Sequence, residues 1–255
     1  MRRRTESTPA GFGAATRAAL RRSVGTKPRR WLITITLLLG LLTAVGLTAA
    51  TPPDELTFAT LAHPVQSLMS VAVPFLGILL AHDLRRSPGN VRLAPALLAT
   101  ALLAAAVGLL GALFCAAALA LAPEGVAPDA WRYAGNIVLG GVLVQVVARL
   151  IGVGLGLLLS SFVVAALASI VLPLGLYGLL GAVGVVRPAR AWLTPYATVQ
   201  NLLAGDMSVL EWAQWVAVLL IWGVGLTAVG MARLRPQGAA AGSPTPATAP
   251  ERSHH

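Results

Sequence analysis

The sequence predicts an all-α, polytopic membrane fold with six transmembrane helices, and three observations carry that prediction. Charge is scarce, uncharged runs recur at spanning length, and arginine is distributed unevenly among the segments between them. Hydrophobic residues make up 56% of the chain and charged ones 11%, against roughly 25% charged in soluble globular domains. Lipid-facing surface explains such a deficit. Several uncharged runs exceed the ~18 apolar residues that mark a spanning helix, so most of the chain reads as one membrane domain.

The spans fall at 31–50, 65–81, 93–122, 133–159, 162–186 and 212–232. The basic arm before Trp31 and the length of the first run exceed a cleavable signal, whose apolar region covers about 7–15 residues, so 31–50 is expected to be a retained span. The third run would reach ~45 Å as a helix and must tilt or project beyond a hydrocarbon core of about 30 Å. Pro95 suits its first turn, where no amide hydrogen bond is lost. No charge separates the fourth and fifth runs, but 133–186 is too long for one helix. Ser160 and Ser161 mark the clearest break, and a tight helical hairpin is expected there.

Arginine tests the count independently, because cytoplasmic segments are enriched in Arg and Lys. With the amino terminus inside, fifteen of the nineteen basic residues fall on the inner side, only Arg132, Arg187 and Arg190 fall outside, and Arg149 lies within a span. Six spans in a cell (inner) membrane with both termini cytoplasmic satisfy that asymmetry. Nine basic residues precede Trp31 and feed an apolar run, so membrane orientation accounts for the net charge of +10 and nucleic acid is not expected as a partner.

The chain divides into a cytoplasmic arm at 1–30, a six-helix domain at 31–232 and a disordered tail at 233–255. In the arm, Arg17, Arg21 and Arg22 share one side of a predicted helix whose other side is Ala and Leu. This is the pattern of an interfacial amphipathic helix directing cations toward anionic lipid headgroups, with Gly25 and Pro28 breaking it before Trp31. Residues 186–211 carry Trp192, Leu193, Tyr196, Val199, Leu202 and Leu203, too apolar for a solvated loop. Short re-entrant helices in the outer leaflet are expected there. The tail, rich in Ala, Pro, Ser and Thr, lacks the apolar content to fold.

Few residues carry chemistry. The only lysine, Lys27, lacks the glycine spacing of a nucleotide-binding loop, and the single Cys115 permits neither an internal disulfide nor a thiolate cluster. No catalytic, cofactor or metal residue is assigned. His82-Asp83 is a close His/carboxylate pair, but neighbours point about 100° apart on a helix, and a plain span end explains them. His63, beside Pro64, reads as solvated. Ser160 and Ser161 lack a nucleophile-elbow setting. Arg149 costs about 2.5–3.5 kcal/mol at a span centre on insertion scales; an interior polar role and snorkelling to the cytoplasmic surface both remain open. Gly152, Gly154 and Gly156, and Gly175, Gly178, Gly181 and Gly184, have the small-residue spacing that brings helix backbones together.

Several ordered features resemble the permease subunit of ABC-2 type ABC transporters. These are Ala14-Ala15-Thr16-Arg17-Ala18-Ala19-Leu20-Arg21-Arg22 ahead of Lys27-Pro28-Arg29-Arg30-Trp31, similar to an elbow helix; Val73-Pro74-Phe75-Leu76-Gly77-Ile78-Leu79-Leu80 leading to Asp83-Leu84-Arg85-Arg86; the 154–161 hairpin; and Pro195 through Asn201-Leu202-Leu203. The resemblance implies an exporter subunit that lines the substrate pathway, pairs with a second permease copy in the lipid bilayer, and couples to a separate cytosolic ATP-hydrolysing subunit. ATP would bind that partner, so the chain itself would be no enzyme. By that resemblance Asp83, Arg85, Arg86 and Arg92, within the segment 82–92, would form the ATPase-coupling loop; Arg149 is a candidate intramembrane polar site on its own residue chemistry, apart from the resemblance. Two rivals are a non-transporting scaffold or immunity protein, and a membrane enzyme in which His82-Asp83, Arg149 and Ser160 converge.

Overall fold

Runs this apolar become helices because only an internally hydrogen-bonded backbone tolerates lipid. The computed structural model describes residues 11–86, 93–122 and 126–240, and among them no strand occurs. Six helices are long and apolar enough to cross a bilayer. They are α2 (Lys27–Ala50), α3 (Phe58–Arg86), α4 (Leu93–Ala120), α5 (Ala134–Leu158), α6 (Phe162–Ala182) and a last span built from α9 (Val209–Val218), a π-helical stretch (Leu219–Gly225) and α10 (Leu226–Ala240). Before them comes α1 (Phe12–Val24), and between α6 and α9 lie a 3-10 segment (Gly184–Ala189), α7 (Arg190–Leu193) and α8 (Pro195–Ala204). The chain is an all-α, multi-pass membrane protein.

The elbow is helical as expected, with Thr16, Ala19 and Ser23 buried where α1 packs on α4, and with Arg17, Arg21 and Arg22 exposed. Its break falls at Gly25 and Thr26. Pro28 sits in the first turn of α2, so it starts the next helix rather than ending the previous one, since its missing N–H costs nothing there. The α5–α6 hairpin turns at Ser160 as expected, and Ser161 caps α6 by accepting a hydrogen bond from the Val164 amide at 3.5 Å.

Three boundaries differ from the sequence reading. The second span runs from Phe58 to Arg86, so His63, His82, Asp83, Arg85 and Arg86 are helical; loop-like residues extend a helix when both its ends are anchored by neighbours. The fifth span stops at Ala182 instead of 186, because Gly184 and Pro188 favour a 3-10 segment. The last helix continues past Arg233 to Ala240, into the segment expected to be disordered; helical propagation adds a bond per residue once a span has nucleated it. Residues 241–255 lie outside the described ones.

The centre of the bundle is the parallel pair α3 and α5. Pro74 meets Gly152, and Ile78 meets Gly156, so both chains advance four residues between contacts, about one turn. A Cβ on Gly156 would stand 2.7 Å from the Ala81 Cβ, and one on Gly77 would strike the Arg149 carbonyl. Glycine is required at this seam. On its other side α5 packs on the last span, where a Cβ on Gly154 would come within 2.6 Å of Leu226. The glycines at 152, 154 and 156 therefore pack closely, as their spacing predicts. Those of α6 do not: Gly175 and Gly178 have nothing within 4 Å and Gly181 meets only the Arg190 guanidinium, at 3.4 Å, because α6 runs along the periphery; Gly184, in the 3-10 segment beyond it, is equally open.

Candidate functional site

A cavity of about 400 Å³ opens between α3, α5, α6 and α8, lined by Ser67, Ser70, Val71 and Pro74, by Val147, Ala148 and Ile151, by Ser169 and Pro173, and by Tyr196 and Val199. Its walls are apolar, and no charged residue lines it. The polar groups are hydroxyls, two already engaged: Ser70 donates to the Ser67 carbonyl and Ser169 to that of Ala166, at 2.7 and 2.8 Å. Such a space suits an uncharged, apolar portion of a ligand. A second recess of about 550 Å³ between α4, α5 and the last span has Thr227 as its polar lining residue, whose hydroxyl donates to Gly223. It lacks any covering helix from the 184–204 segment.

Short helices of the segment between α6 and the last span cover the first cavity, and side chains from four elements hold them. The His63 Nε2 and Gln200 Oε1 lie 2.9 Å apart; an amide oxygen only accepts, so the imidazole donates. Asn136 donates to the Gly205 carbonyl at 2.9 Å, where α8 ends in a left-handed residue with φ +81° that a Cβ would strain. The Tyr177 ring of α6 meets Tyr196 edge-on at 4.7 Å and carries the Arg190 guanidinium at 4.4 Å. Trp222 donates to Leu193 at 2.8 Å. Segment 186–211 is thus a packed cap of short helices, as its apolar content predicts, and His63 is half-buried and bonded rather than solvated.

Three buried polar residues of the spans, Gln66, Gln145 and Arg149, lie along the α3–α5 seam. Gln145 donates to the Gln66 backbone and side-chain oxygens at 3.0 and 2.9 Å, and Gln66 donates to the Gly108 carbonyl at 2.8 Å. This clamp joins α3, α4 and α5 and escaped the sequence reading, although a glutamine inside an uncharged run was the available signal. Arg149 lies three residues before Gly152, and its carbonyl faces Gly77 of α3. It is only 1% exposed. Snorkelling is therefore excluded: the side chain is interior, because α3, α4 and the last span enclose that face of α5.

At the arginine-rich end, two of the expected coupling residues are bonded within the chain, Asp83 while still exposed and Arg85 partly buried. Asp83 pairs with Arg29, which is itself buried and also donates to the carbonyls of Arg22 and Leu79 at 2.8 and 3.2 Å. Arg85 donates to the Leu159 carbonyl at 2.8 Å, occupying the open end of α5. Cations belong at that end because the last carbonyls of a helix lack partners. Arg86 is exposed, and Arg92 lies outside the described residues. His82 and Ser160 share this end, whereas Arg149 stands eleven residues from Ser160, ~16 Å away along the helix. The three do not converge. Cys115 is fully buried in the core, and no group of three or more His, Cys, Asp or Glu gathers among the described residues.

No protein-family model, curated protein or solved structure matches the chain. The helices and the capped cavity define a multi-pass, all-α membrane protein with an intramembrane space for apolar matter.

Proposed function

We propose that this chain is the membrane-spanning permease subunit of an ABC-2 type ABC exporter, forming the substrate pathway and working with a separate cytosolic ATPase. The observation that carries the reading is the apolar cavity of about 400 Å³ beneath α8, which opens beside the peripheral helix α6 and lies under the capping segment. Cargo with an apolar body would occupy it. The chain would hydrolyse nothing: ATP would be consumed in the partner, and a second permease copy would complete the pathway in the cell membrane. The arginine distribution supports cytoplasmic termini, which places exposed Arg86, followed by Arg92, on the side where an ATPase would dock.

Purification of the tagged chain in mild detergent tests this reading. Recovery of an ATP-binding subunit, weakened by Arg86→Glu and insensitive to Arg17→Glu on the elbow, is expected. Ala148→Trp, which fills the cavity, should leave that association intact and abolish export. Recovery of the chain alone, with function surviving loss of any ATPase, would instead favour a non-transporting scaffold or immunity protein.

A further inference from the structure

Among the described residues Arg149 is the largest fully buried side chain, 1% exposed, and neither its Nε nor its Nη1 has a hydrogen-bond partner there. A guanidinium keeps its proton under all ordinary conditions, so it cannot escape the cost of burial by neutralising itself. An uncompensated buried charge is strongly destabilising. The chain supplies no counter-charge among the described residues: Asp83 is held by Arg29, Glu211 by its own helix start, and Asp54, Glu55, Asp129 and Asp206 lie outside the six spans.

A second orphan stands at the same depth. Gly108 of α4 packs on Val142 of α5 with the helices antiparallel, so Thr100, eight residues earlier, is level with Leu150. Thr100 is 0% exposed, and its hydroxyl too lacks a partner. The faces agree. Arg149 follows Val142 by seven residues, about two turns, on the α5 face that meets α4; Thr100 precedes Gly111 by eleven, about three turns, on the α4 face that meets Gln66 and Met69. Both groups therefore face the interface where α3, α4 and α5 meet.

We propose that Arg149 and Thr100 form a buried site for a small inorganic anion of halide size, chloride under cellular conditions. A lipid headgroup or an acidic helix of another protein cannot reach a side chain 1% exposed inside the bundle. A water molecule would satisfy the hydrogen bonds but leave the charge uncompensated, which is what selects an anion. The arginine-rich end, where Arg17, Arg21, Arg22 and Arg86 are exposed, provides a positive field that draws anions inward. The site rests on burial and geometry alone and is independent of the permease reading.

Thermal unfolding of the purified full chain in detergent, in chloride against gluconate at constant ionic strength, tests the site. The midpoint should rise saturably with chloride or bromide. Thr100→Val, of nearly equal volume, should raise the half-saturating chloride concentration about fivefold through loss of one hydrogen bond. Arg149→Gln should abolish the response. Should that variant fail to fold, chloride-35 NMR line broadening on the wild-type and Thr100→Val proteins supplies the same comparison with the arginine in place. Equal midpoints in chloride and gluconate, a response surviving Arg149→Gln, or line broadening unchanged by Thr100→Val would each overturn the proposal.

Discussion

The α3–α5 seam and the helix α6 are built from the same vocabulary of glycine, leucine and valine, yet the bundle uses them in opposite ways. At the seam 61% of the apolar window of α5 is buried; on α6 the share is 11%. Gly152 and Gly156 have helix backbone where a Cβ would go, whereas Gly175 and Gly178 face open space. In lipid there is no hydrophobic penalty for leaving an apolar face uncovered, so association depends on close packing and hydrogen bonds. The seam has both, through its glycines and the Gln66–Gln145 clamp. Helix α6 has neither over most of its length and stays at the edge, where it can form one wall of the cavity.

The contrast yields mutations of graded effect. Gly152→Val places a branched side chain against Pro74 backbone and should be the most damaging, costing about 3 kcal/mol or more; unfolding in graded denaturing detergent would register it as loss of the folded species. Asp83→Asn removes the partner of buried Arg29 and should cost about 2 kcal/mol. Exchanging the pair, Arg29→Asp with Asp83→Arg, should recover part of that loss in the same assay.

Replacing one half of the glutamine clamp strands the other half. Gln66→Leu should destabilise by about 1 kcal/mol, in the range of hydrogen bonds between membrane helices, with Gln66→Leu/Gln145→Leu less damaging than the sum of the two single changes. Gly178→Leu on α6 should fall within about 0.5 kcal/mol of wild type, as for surface substitutions away from any structural feature. If α6 serves as the contact with a second permease copy, that variant would lose association, read by cross-linking in vesicles, while keeping its unfolding midpoint.

Much of this was legible in advance. The six spans, the hairpin turn at Ser160, Pro95 in the first turn of α4 and the helical cap over 186–211 all follow from local composition, because a residue's preference for lipid or water acts wherever it sits. The elbow was readable from the spacing of Arg17, Arg21 and Arg22. What misled was partnership. The spacing of Gly175, Gly178 and Gly181 is as good a packing signal as that of Gly152 and Gly156, but periodicity names a face without naming its neighbour. Asp83 and Arg85 had the composition of a docking loop, and only the approach of Arg29 and of the α5 terminus shows them engaged within the bundle.

By itself the sequence determined that this protein lies in a membrane, how many times it crosses and which segments join the spans, since hydropathy and charge are sums over consecutive residues. The tertiary structure alone decided that Arg149 is enclosed rather than reaching for the surface, that α6 stands apart, and that three helices and a short cap enclose a cavity. Those properties belong to pairs of helices distant in the chain, and the depth and company of a side chain are fixed only when its helix finds the neighbours it can approach.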